Sequence, residues 1–218
     1  MQSEKTKHVT NKQGTQFAAL ARKFGVSRED FAGFIKDEKK VKTLFESMNT
    51  ETDAWFESLQ AAATKIGARL HLITNLVVDY SKSHNDAAMA GGPQTESSYN
   101  VLKVSDKYQP SENKLTNETI VLLNYPKGGG NYGKTVQWGL ENGLRKTTPH
   151  ASFAVGEHKT KLNYELGPNP MYVVETTGCT FGGGTDACYV WWDDARRKSN
   201  LDWQDNFGNG RDWFAFRK

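Results

Sequence analysis

Thr52-Asp-Ala-Trp-Phe-Glu-Ser-Leu-Gln-Ala-Ala-Ala-Thr-Lys-Ile-Gly-Ala-Arg-Leu-His-Leu-Ile-Thr-Asn-Leu-Val-Val-Asp-Tyr80 is the stretch on which the fold turns. Trp55, Leu59, Ala62, Ile66, Leu70, Ile73 and Val77 recur at spacings of four, three, four, four, three and four, so they share one helical face. Thr50, three residues before Asp53, offers a capping start. The segment reads as one long amphipathic helix. A second helix is expected after Ser27, where Ser27-Arg-Glu-Asp30 caps it and Phe31, Phe34 and Ile35 turn inward. If it survives the charged run Lys36–Lys40, it goes on to bury Leu44, Phe45 and Met48. A short helix from Thr15 to Phe24 precedes it.

The pattern changes at Ser81-Lys-Ser-His-Asn-Asp-Ala-Ala-Met-Ala-Gly-Gly-Pro-Gln-Thr-Glu-Ser-Ser98, which is small, polar and punctuated by Gly-Pro, as a linker or exposed loop is. Beyond it, short β-branched and aromatic runs read as strands: Tyr99–Val104, Thr119–Asn124, Ser152–Val155, Met171–Thr176, Tyr189–Trp192 and Asp212–Phe216. The last three leave little room for crossover helices. The expected fold is α+β: a helical domain over residues 1–80, a linker or loop over 81–98, and an antiparallel sheet, sandwich or small barrel over 99–218.

The chain's 218 residues suit one large domain or two small ones. Its 11% aromatic content excludes a wholly disordered chain, and two Cys exclude a disulfide scaffold. The 28 basic and 25 acidic residues, net +3, announce no strongly basic module. The polar amino end leads into no apolar core of a signal peptide, and Leu70–Val78 is about half a bilayer span, so a soluble cytoplasmic protein is expected. Cys179 and Cys188 flank Thr-Phe-Gly-Gly-Gly-Thr-Asp-Ala. A hairpin there could set the sulfurs opposite one another for a disulfide, whereas two reduced thiols are the commoner cytosolic state.

Three segments carry possible chemistry. Phe17–Lys36, with Leu20, Ala21 and Phe24 packing one helix, Gly25 at the turn and Ser27 capping the next, resembles the helix-turn-helix pattern. The resemblance implies that Arg22, Arg28 and Lys36 meet phosphates or base edges, although Glu29 and Asp30 would repel phosphate and an ordinary helical hairpin fits the same residues. Gly128-Gly-Gly-Asn-Tyr-Gly-Lys-Thr135 resembles the Walker A loop, which implies a phosphate cradle at Gly128 and Gly133, neutralised by Lys134, with Thr135 and Asp193 on magnesium. The turn Asn131-Tyr-Gly-Lys134 also resembles part of the GIY-YIG nucleases, but Thr119-Ile-Val121 lacks the tyrosine of their first motif, so no catalytic role follows. His150, His158 and Glu157 could form an acid–base cluster of the kind metal-independent ribonucleases use, or could be exposed loop residues. No metal-ligand spacing is present.

Aromatic and basic residues mingle in the second half. Lys127, Tyr132, Trp138, Arg145, Arg196 and Arg197 are the expected nucleic-acid contacts there, by stacking and phosphate pairing. The leading functional expectation is a non-enzymatic nucleic-acid-associated binding protein with no cofactor. The alternatives are a magnesium-nucleotide enzyme using Gly128–Thr135, and an interaction protein or membrane-active toxin using the helix Thr52–Tyr80.

Overall fold

Gly67 ends the long helix. In the computed structural model, which describes residues 26–95, 99–108 and 115–218, Gly67 takes φ +73°. Its N–H donates to the Thr64 carbonyl and that of Ala68 to the Ala63 carbonyl, both at 3.0 Å, closing a Schellman cap. The expected helix Thr52–Tyr80 is thereby corrected: Glu38–Lys65 is helical (α2), and Arg69–Asp79 is a strand (β1). The helical spacing misled for a definable reason. A bulge interrupts the pairing of β1 with β2 (Leu115–Asn124) between Ile73 and Leu76, so both face inward although three residues apart. Asn75, at φ +55°, lies in this interruption.

The helix expected after Ser27 is present as α1, Arg28–Lys36, and the Ser27 hydroxyl accepts from Asp30 N at 3.0 Å. It ends at Asp37, whose carboxylate accepts from Lys40 N at 3.1 Å. The Thr15–Phe24 helix of the helix-turn-helix reading lies outside the described residues. The chain divides into two compact units, Met1–Trp55 and Phe56–Lys218.

Within the second unit, helices are interspersed with strands. The stretch expected as a linker carries α3, His84–Gly91, capped by the Ser83 hydroxyl on Asp86 N. Tyr99–Val104, expected as a strand, contains α4, Tyr99–Lys103. Ser152–Val155, also expected as a strand, lies inside α6, Pro149–His158, which follows α5 (Tyr132–Glu141) and the short β3 (Arg145–Lys146). Pro149 suits the first helical position. Every residue from Pro149 to Gly156 is buried, so this helix has no polar face to betray its period. A five-residue α7, Leu162–Leu166, precedes β4 (Met171–Val174), β5 (Cys179–Phe181), β6 (Gly184–Asp193), β7 (Arg196–Trp203) and β8 (Asp212–Arg217).

The strands form one mixed, open sheet of order β1-β2-β8-β4-β6-β5, with β3 on β8 and β7 on β6. β4 and β8 run parallel. The expected helical half followed by an antiparallel sheet, sandwich or barrel is therefore incorrect: helices pack on both faces of a mixed sheet. Ile120 and Leu122 of β2, Trp213 and Ala215 of β8 and Trp192 of β6 join one core with Phe153 of α6 and Ala88 of α3. Val121, Leu123, Phe214 and Phe216 are buried too, and on that face Tyr132 of α5 meets Phe214 at 6.0 Å between ring centroids. Trp191 and Trp192 face opposite ways; Trp192 is buried in the core, and Lys198 Nζ lies 5.4 Å from the Trp191 ring.

Candidate functional site

Two buried threonines fix one end of the sheet. Thr147 and Thr176 each donate a hydroxyl to the Ala215 carbonyl at 2.8 Å, and Thr147 N donates to Thr176 Oγ1 at 2.8 Å. Thr177 adds Oγ1 to the Thr147 carbonyl at 2.6 Å. The ends of β4 and β8 and the start of α6 are thus tied together. Beyond them opens a cleft of about 850 Å³, which Tyr80, Glu118, Thr148, His150 and Arg217 line together with Lys107, Tyr108 and the turn at Thr177–Thr180.

Strand alternation explains this gathering. Glu118 is two residues before the inward-facing Ile120, and Arg217 is two after Ala215, so both emerge on the face that carries α6. Tyr80 follows the end of β1 and donates its phenol to Glu118 Oε1 at 2.8 Å. The same oxygen receives Thr116 Oγ1 at 3.3 Å and lies 3.6 Å from Arg217 Nη1. Glu118 Oε2 and Thr148 Oγ1, both closed off from bulk water, have no hydrogen-bond partner. One carboxylate oxygen is held and the other is unsatisfied. Burial, then Glu118, pushes the Tyr80 phenol up to about 12, so it keeps its proton at neutral pH.

Beneath the cleft lies a second acid. Glu175 is fully buried just past β4 and accepts from Thr177 N, from Gly178 N at 2.9 Å and from Cys188 N at 3.2 Å; Tyr108 Oη lies 3.5 Å away. Burial raises its carboxyl to about 7 although the backbone donors pull the other way. Gly178, at φ +71°, permits the turn that brings its N–H onto this carboxylate. Tyr108 stacks on His84 at 5.2 Å, and His84 Nε2 meets the Val101 carbonyl at 2.8 Å. Burial raises the Cys179 thiol, and that of Cys188 still more, so neither is an activated thiolate. The disulfide considered from the sequence is not formed: Cys179 stands opposite Asp186, not Cys188, and both thiols are free.

His150 and His158 do not form the acid–base cluster considered with Glu157. They sit at opposite ends of α6, about 12 Å of helix rise apart. Glu157 pairs with Lys82 at 2.8 Å. His150 instead joins the cleft, its ring 5.9 Å from Tyr80 and its Nε2 at 3.0 Å from the Lys82 carbonyl.

The glycine loop does join a strand to a helix, but not as a phosphate loop requires. β2 is antiparallel to both neighbours, and β8 and β4 separate it from β6, which carries Asp193. Asn131 caps α5 through Lys134 N. Thr135, fully buried, gives its hydroxyl to the Asn131 carbonyl at 2.6 Å and so turns away from any metal. Asp193 pairs with Arg196. Gly128 has open space around it, a Cβ at Gly133 would meet Asn131 Oδ1 at 3.5 Å, and Lys134 is exposed.

Within the second unit, the expected nucleic-acid contacts are spread over the glycine loop, α5, β3 and β7. Arg22 lies outside the described residues, Arg28 and Lys36 belong to α1, and Lys127 is exposed near the glycine loop. Tyr132 is buried, Trp138 half-buried, and Arg197 donates inward to the Gly156 carbonyl. Arg145 lies at the cleft end of the sheet, opposite Arg217. The membrane-active reading loses its helix, because β1 is bonded along its length to β2; among the described residues, no helix is long and apolar enough to cross a membrane. Nor do three or more His, Cys, Asp or Glu side chains among the described residues converge as a metal site would.

Sequence reasoning missed Tyr80, Glu118 and Glu175. A signal existed for two of them: Glu118 and Glu175 each interrupt or end an apolar strand, Ile120–Leu123 and Met171–Val174, where a charge needs a reason. No family model, curated protein or solved structure matches the chain.

Proposed function

We propose that this chain is an enzyme that transfers protons on a polar ligand held in the cleft at the sheet end. The observation that carries the reading is the fixed carboxylate of Glu118 on the cleft wall, one oxygen of which is held by Tyr80, Thr116 and Arg217. A ligand hydroxyl that took the place of the Tyr80 phenol on Glu118 Oε1 would meet a carboxylate already held in position to take its proton, while Tyr80 keeps its own. His150 on the same wall supplies a second proton-exchanging group, and Arg217 a positive charge for a developing anion. A large cleft with convergent polar groups and a perturbed acid at its base supports this reading over a passive surface.

The test is turnover of chromogenic phosphodiester, carboxylic ester and glycoside substrates by the native chain and by Glu118→Gln. Loss of one acid–base group is expected to cost about 10²–10⁴-fold. Gly133→Ala, at an exposed site in α5, controls for handling. If no class turns over, or turnover ignores Glu118, the reading is wrong.

A further inference from the structure

The turn between β5 and β6 is built of glycine. Gly182 and Gly183 take φ +59° and +88°, and Gly184 opens β6. Beside this tip lies a hollow of about 400 Å³, lined by residues 182–185 and 203–205 and sharing none of them with the cleft. Trp203 ends β7 there and, at 64% exposed, is the most exposed of the six tryptophans. Strand register sets it opposite Asp186, on the face of β6 that also carries Gly184. A Cβ at Gly184 would lie 3.3 Å from the indole Nε1 and 3.5 Å from Cδ1. The pyrrole edge therefore rests on bare backbone, and most of the ring is left to solvent. Around it, the indole N–H, the Thr185 hydroxyl and the Asp205 carboxylate have no hydrogen-bond or ion-pair partner among the described residues. Gln204 donates Nε2 to the Asp186 carbonyl at 3.3 Å, which leaves its amide oxygen to accept from another group. Covering so large an exposed ring is favourable.

The polar groups select what covers the ring. Among the described residues no Lys or Arg lines the hollow. An anion there would face Asp205 and, 3.8 Å from the same Gly184 position, the unpartnered Oδ2 of Asp186. An ammonium group only donates, so it leaves the indole N–H unmatched, and a single ring forms no cage around it. A sugar hydroxyl both donates and accepts, and so matches the indole N–H, the Thr185 hydroxyl, the Gln204 oxygen and the Asp205 carboxylate alike. A pyranose of the glucose type, with its ring substituents equatorial, also presents a flat C–H face to an aromatic ring. We propose that this hollow binds a neutral glucose-type pyranose unit of a glycan. The C–H face of the sugar stacks on Trp203, and its hydroxyls meet Asp205, Gln204 and Thr185. Asp186 Oδ2 is closed off and takes no part in the contact. The hollow is a binding subsite only, in which no bond is made or broken, and it stands independently of proton transfer in the cleft.

The experiment is calorimetric titration of the full chain with cellotetraose and with chitotetraose, alongside polygalacturonate and tetramethylammonium chloride. At least one of the two neutral oligosaccharides is expected to bind, with a Kd of about 0.1–1 mM, and neither charged probe. Trp203→Ala should weaken binding about tenfold, Trp203→Phe should restore most of that loss, and Asp205→Ala should weaken binding about tenfold. Both side chains are exposed, so the variants should melt with the native chain, and circular dichroism checks that they are folded. If neither oligosaccharide binds at concentrations up to about 5 mM, or if binding is unchanged in Trp203→Ala, the proposal is overturned. It is overturned likewise if polygalacturonate or tetramethylammonium binds through Trp203 while the neutral sugars do not. Turnover in the cleft is read separately with Glu118→Gln, and neither result depends on the other.

Discussion

Replacing Glu175 by Gln should abolish a pH dependence of stability that runs opposite to that of most carboxylates. The folded carboxyl sits at about 7 against an ordinary 4.5. Between those values the folded chain holds a proton that the unfolded chain releases. The group therefore contributes stability that is full below pH 4.5 and is lost as pH rises through 7. The displacement corresponds to about 3 kcal/mol. Full burial means that water does little to screen it. Gln cannot ionise, so it shows no such loss. It does turn an amide N–H₂ toward at least one of the N–H groups of Thr177, Gly178 and Cys188, a mismatch of about 1–3 kcal/mol at every pH. His71 and His84, both lowered by burial, titrate in the same region with the opposite sign in native chain and variant alike. The quantity to follow is therefore the difference between the two proteins. Urea denaturation from pH 4.5 to 8 should show the native advantage over Glu175→Gln shrinking by about 3 kcal/mol, a relative midpoint shift of about 1–2 M. A difference that stays constant across that range would refute the assignment of burial as the dominant cause.

Three further outcomes test the packing. Gly133→Ala should stabilise α5 by about 0.5–1 kcal/mol, because the new methyl meets Asn131 Oδ1 at an ordinary 3.5 Å; Gly139→Ala in the same helix should destabilise by about 1–3 kcal/mol, because its methyl would collide with the buried Phe216 ring, and thermal melts of the pair should move in opposite directions. Asn131→Ala should cost about 1 kcal/mol by removing the cap on Lys134 N, whereas Asn131→Gly should cost only a few tenths, as urea titration would register. Thiol titration of the native chain should label Cys179, which is half-buried, and reach Cys188 only on unfolding, with no thiol gained on prior reduction; an increase after reduction would contradict the free pair.

Residue chemistry alone determined the elements whose signals are local. The Ser27 cap, the strand Thr119–Asn124, and the strands within Met171–Thr176, Tyr189–Trp192 and Asp212–Phe216 were legible because caps and β-branched runs act within a few residues. Tertiary structure decided the rest. Arg69–Asp79 became a strand because β2 offers it a partner and a bulge restores its inward face after Ile73, and no helical wheel contains that information. Ser152–Val155 became helical because burial on all sides erased its period. The cleft was invisible for the same reason: Tyr80, Glu118, His150 and Arg217 are far apart along the chain and meet only where β1, β2, β8 and the start of α6 come together. A charge's partner, and hence its chemistry, depends on which strands lie side by side, and that is set by pairing between distant segments rather than by any one of them.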